Sequence, residues 1–221
     1  MGTTREAVQV RLVDATLDGD LTVPDGARAL VLFAHGSGSS RLSPRNRHVA
    51  RRLNEAGLAT LLTDLLTREE ERQDLVTAEL RFDIGLLARR LTGVTDWLAE
   101  RPAEQTLRAG YFGASTGAAA ALMAAAERPN LAGAVVSRGG RPDLAAPALA
   151  RVRAPTLLIV GSRDTAVLAM NRTALAQLTC PKALTIVQGA THLFEEPGAL
   201  DEVAQLASDW FAHHLAGEQA S

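Results

Sequence analysis

The sequence predicts an α/β protein, built on one mostly parallel β-sheet of about seven to eight strands with helices on both faces. Three observations support this fold class. Short apolar runs recur along the chain at the length of strands that are buried on both faces. Helical patterns separate these runs, and a stretch near the start is β-prone and interrupted by turn residues. The 221 residues suffice for one sizeable core and are short for two, so we expect a single domain over residues 1–221.

The first predicted element is an antiparallel hairpin. Residues 8–23 alternate apolar and polar side chains, and Leu17-Asp18-Gly19-Asp20 interrupts the alternation. Because Asp-Gly between two β-prone runs favours a tight turn, the hairpin turn is expected there.

The later strands and helices follow in alternation. The predicted strands are residues 29–33, 58–62, 109–113, 132–136, 156–160 and 184–187. Ser43 as N-cap and Pro44 at the first helical position predict a helix that runs to about Gly57. Apolar residues three and four positions apart predict a long helix over residues 84–98. The other helical segments are predicted near residues 116–127, 143–149, 167–178 and 200–215, and the charged residues 67–79 predict a solvated loop with a short helix.

Composition argues against several classes of protein. The net charge of −2 indicates neither a nucleic-acid partner nor a membrane partner. Residues 1–12 lack the apolar core of a signal peptide, and the most apolar run, residues 118–126, is too short to span a bilayer. Cys180 is the one cysteine and has no partner for a disulfide or a zinc site. We expect a cytoplasmic monomer or homodimer with no metal and no cofactor.

A predicted nucleophile stands at Gly113-Ala114-Ser115-Thr116-Gly117, between a predicted strand and an Ala-rich helix. This Gly-x-Ser-x-Gly pattern is typical of a turn that exposes a reactive serine, since only small residues fit two positions away on either side. The following helix directs its N-terminus at the site. An ordinary turn with Ser115 as helix N-cap is the alternative, and the flanking strand and helix favour the nucleophile.

Asp164 and His192 are the predicted acid and base. A serine hydroxyl needs a base within hydrogen-bond distance. Asp164 follows the strand at 156–160, and His192 lies on the loop after the strand at 184–187, so both follow the serine in the order that such a turn requires. Asp64, at the end of an earlier strand, is the alternative acid.

The other four histidines are expected to have different roles. His213 and His214 lie near the end of the last helix, where we expect them to be solvated or capping. His48 is expected to face solvent from its helix. His35 precedes a glycine-rich loop, where its expected role is structural.

The loop His35-Gly36-Ser37-Gly38-Ser39-Ser40 is the predicted oxyanion loop, because its small residues allow close backbone approach. The backbone N–H groups of Thr116 and Ser37 are the predicted oxyanion donors, with Gly38 as the alternative to Ser37. Removal of one such donor costs about 3 kcal/mol of transition-state stabilisation.

Together these features resemble the α/β-hydrolase superfamily over nearly the whole chain. Within it, the small size and the loop His35-Gly36-Ser37-Gly38-Ser39-Ser40-Arg41 are similar to the dienelactone hydrolase-like group. The resemblance implies an α/β-hydrolase fold, a triad of Ser115, Asp164 and His192, and hydrolase activity. Dienelactone hydrolase itself uses a cysteine nucleophile, whereas this chain carries a serine in the turn and its cysteine elsewhere.

The substrate is expected to be small and fairly soluble. The stretch between residues 136 and 156 has room for one short helix and no large lid, so the site is predicted to be open. Gly36 and Gly38 are candidate substrate contacts. Four arginines near the predicted active face could bind a carboxylate or phosphate in bidentate fashion, with a solvated surface role as the alternative; they are Arg41, Arg138, Arg141 and Arg163.

These observations predict hydrolysis of a small carboxylic ester or lactone through an acyl-serine intermediate. Ser115 attacks, His192 transfers the proton, and Asp164 orients the imidazole. A thioesterase or acyltransferase with the same residues is the alternative. A non-catalytic binding protein of the same fold is disfavoured, because all three triad residue types are present in the required order.

Overall fold

In the computed structural model, residues 2–101 and 107–215 are described. Their eight strands form one sheet in the order β1-β2-β4-β3-β5-β6-β7-β8. The strands are β1 (Thr3–Arg11), β2 (Thr16–Pro24), β3 (Ala29–Ala34), β4 (Ala59–Thr63), β5 (Arg108–Ala114), β6 (Ala132–Arg138), β7 (Thr156–Gly161) and β8 (Lys182–Val187). Strand β2 pairs antiparallel with β1 and β4, and the other pairs are parallel. The predicted mostly parallel sheet with an antiparallel opening is confirmed.

The predicted position of the hairpin turn, at Asp18-Gly19, is wrong. The chain reverses over residues 12–15, where the Leu12 N–H donates to the Ala15 carbonyl at 2.8 Å. Leu17 and Leu21, on either side of Asp18-Gly19, are both buried in the core. Burial of these two leucines requires an unbroken strand and outweighs the turn preference of the dipeptide between them.

Gly19 has a packing role within β2. A Cβ at this position would lie 3.0 Å from Val8 Cγ2 and 3.1 Å from Leu61 Cδ1. The glycine therefore makes room for side chains of the two neighbouring strands.

Helices cover both faces of the sheet. They are α1 (Pro44–Glu55), α2 (Arg68–Thr77), α3 (Ile84–Ala99), α4 (Thr116–Glu127), α5 (Ala146–Leu149), α6 (Thr165–Gln177) and α7 (Ala199–Leu215), with 3₁₀ turns at Leu80–Phe82 and Pro142–Ala145. Apolar side chains of α3 and α4 pack in one buried cluster. Those of α1 and α7 pack in a second cluster on the opposite face.

Helix α1 begins where the sequence predicts. The Ser43 hydroxyl accepts a hydrogen bond from the Asn46 N–H at 3.3 Å, and Pro44 is the first helical residue. The charged stretch at 67–79 is more ordered than predicted, because it contains the ten-residue helix α2. A capping box starts that helix: the Thr67 hydroxyl accepts from the Glu70 N–H, and the Glu70 carboxylate accepts from the Thr67 N–H.

The carboxyl ends of the parallel strands meet at one edge of the sheet, where α/β proteins bind their ligands. Between β6 and β7, residues 139–155 contain only the 3₁₀ turn at Pro142–Ala145 and the short helix α5, so the predicted absence of a large lid is confirmed. Within the described ranges, every helix is too short or too polar to cross a membrane.

Candidate active site

Ser115 occupies a strained turn between β5 and α4. Its φ of 51° and ψ of −120° lie in a region that side chains other than glycine rarely adopt. A Cβ at Gly113 would lie 2.4 Å from Ala118 Cα, and one at Gly117 would lie 2.2 Å from the Ala34 oxygen. Glycine is therefore required at both positions. The Ser115 side chain makes no capping hydrogen bond to α4, so the structure does not support the alternative N-cap role.

Backbone hydrogen bonds fasten the serine turn to the next strand. The Ser115 N–H donates to the Arg138 carbonyl at 3.2 Å, and the Arg141 N–H donates to the Ser115 carbonyl at 3.1 Å. On the other side, a Cβ at Gly36 would lie 3.0 Å from Ser115 Cβ, so the glycine-rich loop touches the turn. The turn thus lies between the ends of β3 and β6.

Asp164 and His192 are brought together as predicted. Asp164 lies between β7 and α6, three positions after the strand ends, and its Oδ2 is 2.6 Å from His192 Nδ1. The carboxylate is largely buried and the imidazole is partly exposed. Because a carboxylate accepts this hydrogen bond, Nδ1 carries the proton and Nε2 of the neutral ring is left to act as a base.

His192 lies over the end of β6, the strand next to the serine turn. A Cβ at Gly139, the residue after β6, would lie 3.2 Å from the His192 carbonyl oxygen and 3.5 Å from its Cε1. The loop that carries His192 is tied back on itself, since the Thr191 N–H donates to Glu196 Oε1 at 3.0 Å. Hydrogen bonding by the Thr191 side chain, together with nearby backbone N–H groups, lowers the pKa of the Glu196 carboxyl. Phe194 in the same loop has a φ of 56° and is fully buried.

Asp64, the alternative acid, is bound to Arg41. It accepts the Arg41 backbone N–H at 2.8 Å and forms a close ion pair with the guanidinium. Arg41 also lies 3.8 Å from Asp20 and 4.0 Å from Asp18. Asp64 therefore serves an ion-pair network at the β4 end of the site, and Arg41 is already surrounded by carboxylates.

His35 has the structural role that the sequence predicts. Its Nδ1 lies 3.0 Å from the Gly36 carbonyl, and its Nε2 lies 3.2 Å from the Leu65 nitrogen. A carbonyl only accepts and a backbone N–H only donates, so the ring is neutral with its proton on Nδ1. Burial lowers the pKa of His35, against the smaller opposite effects of the Gly36 carbonyl and the charges of Asp64 and Glu71. The ring therefore joins the glycine-rich loop to the end of β4.

The remaining histidines lie away from the serine turn. His48 Nε2 forms a surface contact of 2.8 Å with Asp201 Oδ1. His213 and His214 stand in the last turn of α7, where the His214 ring packs 4.3 Å from the Trp210 ring. Within the described ranges, no three His, Cys, Asp or Glu residues are grouped so that they could hold a metal ion.

The two predicted oxyanion donors lie side by side. The Ser37 N–H donates to Thr116 Oγ1 at 2.9 Å. Thr116 is the first residue of α4, so its own N–H has no acceptor within the helix. Gly38 has a φ of 67° in a turn closed by the Ser39 N–H and the Gly36 carbonyl at 3.2 Å. The hydroxyl of Thr116 thus holds the loop against the start of α4.

A cleft lies beside the glycine-rich loop. The sequence did not predict which segment forms the opposite wall of this cleft. Gly36 and Gly38 line one side, and the segment that contains α2 supplies the other. The lining is apolar at Leu66, Leu75 and Leu87. Arg81 closes it with a guanidinium bound to Asp74, Nε to Oδ2 at 2.6 Å. The capping-box residues Thr67 and Glu70 could have predicted the start of helix α2 from the sequence. The position of this helix opposite the glycine-rich loop depends on the tertiary fold.

The other arginines differ in their surroundings. Arg141 is paired with Asp143 at 2.7 Å, and Arg163 is exposed at the end of β7. Arg138, at the end of β6, is buried and lies with its guanidinium carbon 5.8 Å from the Phe194 ring centre. Of the predicted substrate contacts, Arg138 is therefore buried at the end of β6, whereas Arg41 is paired with a carboxylate and Arg163 is exposed.

Comparison with known proteins identifies the family to which this chain belongs. The family model described as the dienelactone hydrolase family matches residues 17–215. A solved structure of dienelactone hydrolase from Anabaena variabilis has a TM-score of 0.95 and 64% sequence identity, over 96% of this chain and 99% of the other. Est1E from Butyrivibrio proteoclasticus shares the fold with a TM-score of 0.80 at 16% identity, over 95% of this chain and 99% of the other.

A longer protein is also similar. A Mycobacterium tuberculosis protein with the provisional name phosphoribosyl transferase is 58% identical over 212 residues, which are 96% of this chain and 47% of that protein. A second strain of the same species has a relative with the same identity and coverage. The chain therefore spans about half the length of the curated relatives that it matches.

Proposed function

The chain belongs to the dienelactone hydrolase family and is a hydrolase of that type, and from this premise we propose that it cleaves a small carboxylic ester or lactone through an acyl-serine intermediate on Ser115. One observation supports this above all others. The strained serine turn is hydrogen-bonded to the end of β6, and over that strand end lies a histidine whose Nδ1 is 2.6 Å from the Asp164 carboxylate. A nucleophile, a base and an orienting acid in that order are the parts that acyl transfer needs.

In the proposed reaction, the Ser115 oxygen attacks the substrate carbonyl while His192 Nε2 takes the hydroxyl proton. Asp164 stabilises the imidazolium that forms. When the tetrahedral intermediate collapses, His192 returns the proton to the leaving alkoxide, and the acyl group stays on the serine. A water molecule, activated by the same base, then attacks the acyl carbon and releases the acid.

The oxyanion of each intermediate is proposed to bind between the N–H groups of Thr116 and Ser37. In the free protein, the Ser37 N–H donates to the neutral hydroxyl of Thr116 at 2.9 Å. A charged oxygen is a stronger acceptor than a hydroxyl, so the intermediate can compete for this donor. The hydroxyl would therefore keep the donor near its working position between turnovers, which limits the reorganisation that catalysis requires.

The proposed substrate is small because the site has no large cover. The segment between β6 and β7 contains only short helical turns, and the cleft is bounded by the glycine-rich loop and the α2 segment. We propose that a short acyl or alkyl group packs against Leu66 and Leu75, which form an apolar wall of the cleft. The name phosphoribosyl transferase applies to the whole M. tuberculosis relative, and this chain matches only about half of that protein. We therefore assign no step of phosphoribosyl transfer to the residues of this site.

Labelling with a fluorophosphonate probe tests the proposal. The wild-type chain should be labelled and should hydrolyse 4-nitrophenyl acetate, and Ser115→Ala should lose both properties. Ser208→Ala, which changes a serine on the distant helix α7, is the matched control and should keep both. Absence of labelling in the wild type, or labelling that survives Ser115→Ala, would overturn the assignment.

A further inference from the structure

Arg138 is a buried guanidinium that has no charged partner among residues 2–101 and 107–215. The residue is 7% exposed. Its Nε and Nη1 atoms are buried and make no hydrogen bond within the described ranges. Buried polar groups are nearly always hydrogen-bonded, and a buried charge without a counter-ion is unfavourable. Some group that the polypeptide does not supply is therefore expected to contact this side chain.

The position of Arg138 connects it to the candidate active site. Its carbonyl accepts the N–H of Ser115 at 3.2 Å, so the arginine and the nucleophile are adjacent across two paired strands. Side chains alternate along a strand, and Ala134 and Val136 of β6 pack in the cluster that includes α1 and α7. The Arg138 side chain consequently lies on that face, under the loop that carries His192.

Phe194 fixes one side of the guanidinium. The arginine carbon Cζ lies 5.8 Å from the centre of the Phe194 ring. Phe194 holds this position with a φ of 56°, a conformation that is costly for an aromatic residue. Its ring covers apolar surface of the guanidinium and supplies no hydrogen-bond acceptor for the nitrogen atoms.

A second cation, Arg45, is close enough for its charge to act on Arg138. Arg45, in the first turn of α1, also has a buried Nε without a partner, while its Nη1 donates to Glu195 Oε1 at 3.1 Å. Burial, together with the charge of Arg45, lowers the pKa of Arg138 to about 10. Arg138 is therefore still cationic at neutral pH. Two neighbouring cations that both have buried, unused N–H donors are the groups that bind a carboxylate or phosphate in proteins.

We infer that Arg138 and Arg45 form an anion-binding site beside the serine turn, which takes one carboxylate or phosphate group. The group is either a free anion or part of the substrate. The first case is independent of the proposed function, and the second rests on it. Arg41 and Arg141 differ from Arg138, because each of them forms an ion pair, with Asp64 and Asp143 respectively.

The first experiment measures binding of a free anion. Inorganic phosphate and acetate are titrated separately into the wild type and Arg138→Met, by calorimetry at constant ionic strength with chloride. Loss of a bidentate charged contact should weaken binding by about tenfold or more. Arg52→Met is the matched control, because Arg52 lies on the same helix as Arg45 but is exposed and paired with Glu55 at 3.0 Å.

The melting temperature of Arg138→Met in anion-free buffer gives a second readout. Replacement of an unpaired buried charge by an apolar side chain of similar length should leave the melting temperature unchanged or raise it. Phosphate should raise the melting temperature of the wild type and leave that of Arg138→Met where it was. If Arg138→Met does not fold, Arg45→Gln is used for the same titrations.

The second experiment compares a matched pair of esters, 4-nitrophenyl hemisuccinate and its neutral methyl ester. If the anion belongs to the substrate, Arg138→Met should lower the ratio of kcat/KM for the charged ester to kcat/KM for the neutral ester by about tenfold or more. An effect on anion binding alone would identify a free ligand, and an effect on the charged ester alone would identify a substrate group.

The inference is overturned if both arms give the same values for the wild type and Arg138→Met. A failure of the proposed hydrolase function would give a different set of results. In that case the wild type hydrolyses neither ester and takes up no fluorophosphonate, while phosphate and acetate binding can still be measured.

Discussion

The imidazole of His192 lies 2.6 Å from the carboxylate of Asp164, although 28 positions separate the two residues in the chain. The carboxylate is at the end of β7 and the imidazole is on the loop after β8, which pairs with β7. The parallel sheet thus brings acid and base together at one edge. The contact fixes the tautomer of the ring, and a change at Asp164 should therefore act on the chemistry more than on the fold.

Asp164→Asn should lower kcat by about three to four orders of magnitude with little loss of stability, because an amide favours the wrong imidazole tautomer. Steady-state kinetics on 4-nitrophenyl acetate, together with thermal unfolding, measure both quantities. Asp64→Asn is the comparison, since Asp64 pairs with Arg41. A larger loss of kcat in Asp64→Asn than in Asp164→Asn would show that the acid has been assigned to the wrong residue.

Ser115→Gly should stabilise the fold while it abolishes labelling. Glycine adopts the φ of 51° without steric cost, so relief of the strain should add about 1 kcal/mol or more to the free energy of unfolding. Denaturant unfolding of the wild type and the variant measures the difference. Ala119→Gly, in the interior of α4, is the control and should lose about 1 kcal/mol. Equal stabilities for the wild type and Ser115→Gly would mean that the turn stores no strain.

Thr116→Val should lower kcat by about tenfold with a smaller effect on KM, because the valine cannot accept the Ser37 N–H and the loop loses its tether. Thr116→Ser keeps the hydroxyl and should retain most of the activity. Kinetics of the three proteins on the same ester test this. An unchanged kcat in Thr116→Val would show that this hydrogen bond does not prepare the oxyanion site.

His35 should make the protein less stable in mild acid. Its folded pKa lies below the ordinary value of 6.5 because the ring is buried. As the pH falls below about 6.5, the unfolded chain therefore binds a proton that the folded chain does not, and the free energy of unfolding declines by up to about 1.4 kcal/mol per pH unit. His214 contributes in the same direction, since its pKa is also lowered by burial.

The contribution of His35 is measured as a difference between proteins. Urea unfolding of the wild type, His35→Gln and His48→Gln is followed between pH 7.5 and pH 5.5. The first variant should flatten the pH dependence, and the exposed His48 variant should keep most of it. Parallel curves for all three proteins would contradict a buried neutral His35.

The sheet and the serine turn could be predicted from the sequence because each depends on residues that are close together in the chain. Apolar runs of strand length, the Ser43-Pro44 helix start and the two glycines around Ser115 each depend on neighbours within a few positions. The hairpin turn shows the limit of local reasoning. Asp18-Gly19 has turn residues, yet the burial of Leu17 and Leu21 keeps it inside β2.

By itself, the sequence determined the mostly parallel α/β sheet, the position of the serine turn, and the chain order in which an acid and a histidine follow it. Only the tertiary structure decided which carboxylate meets the histidine and, among the described residues, that the buried Arg138 has no carboxylate partner. Asp64 and Arg41 pair through packing across β4 and the glycine-rich loop, and Arg138 is isolated by burial under Phe194. These pairings depend on the distances between segments that are remote in the chain and on the exclusion of solvent between them. Neither quantity can be predicted from the pattern of neighbouring residues.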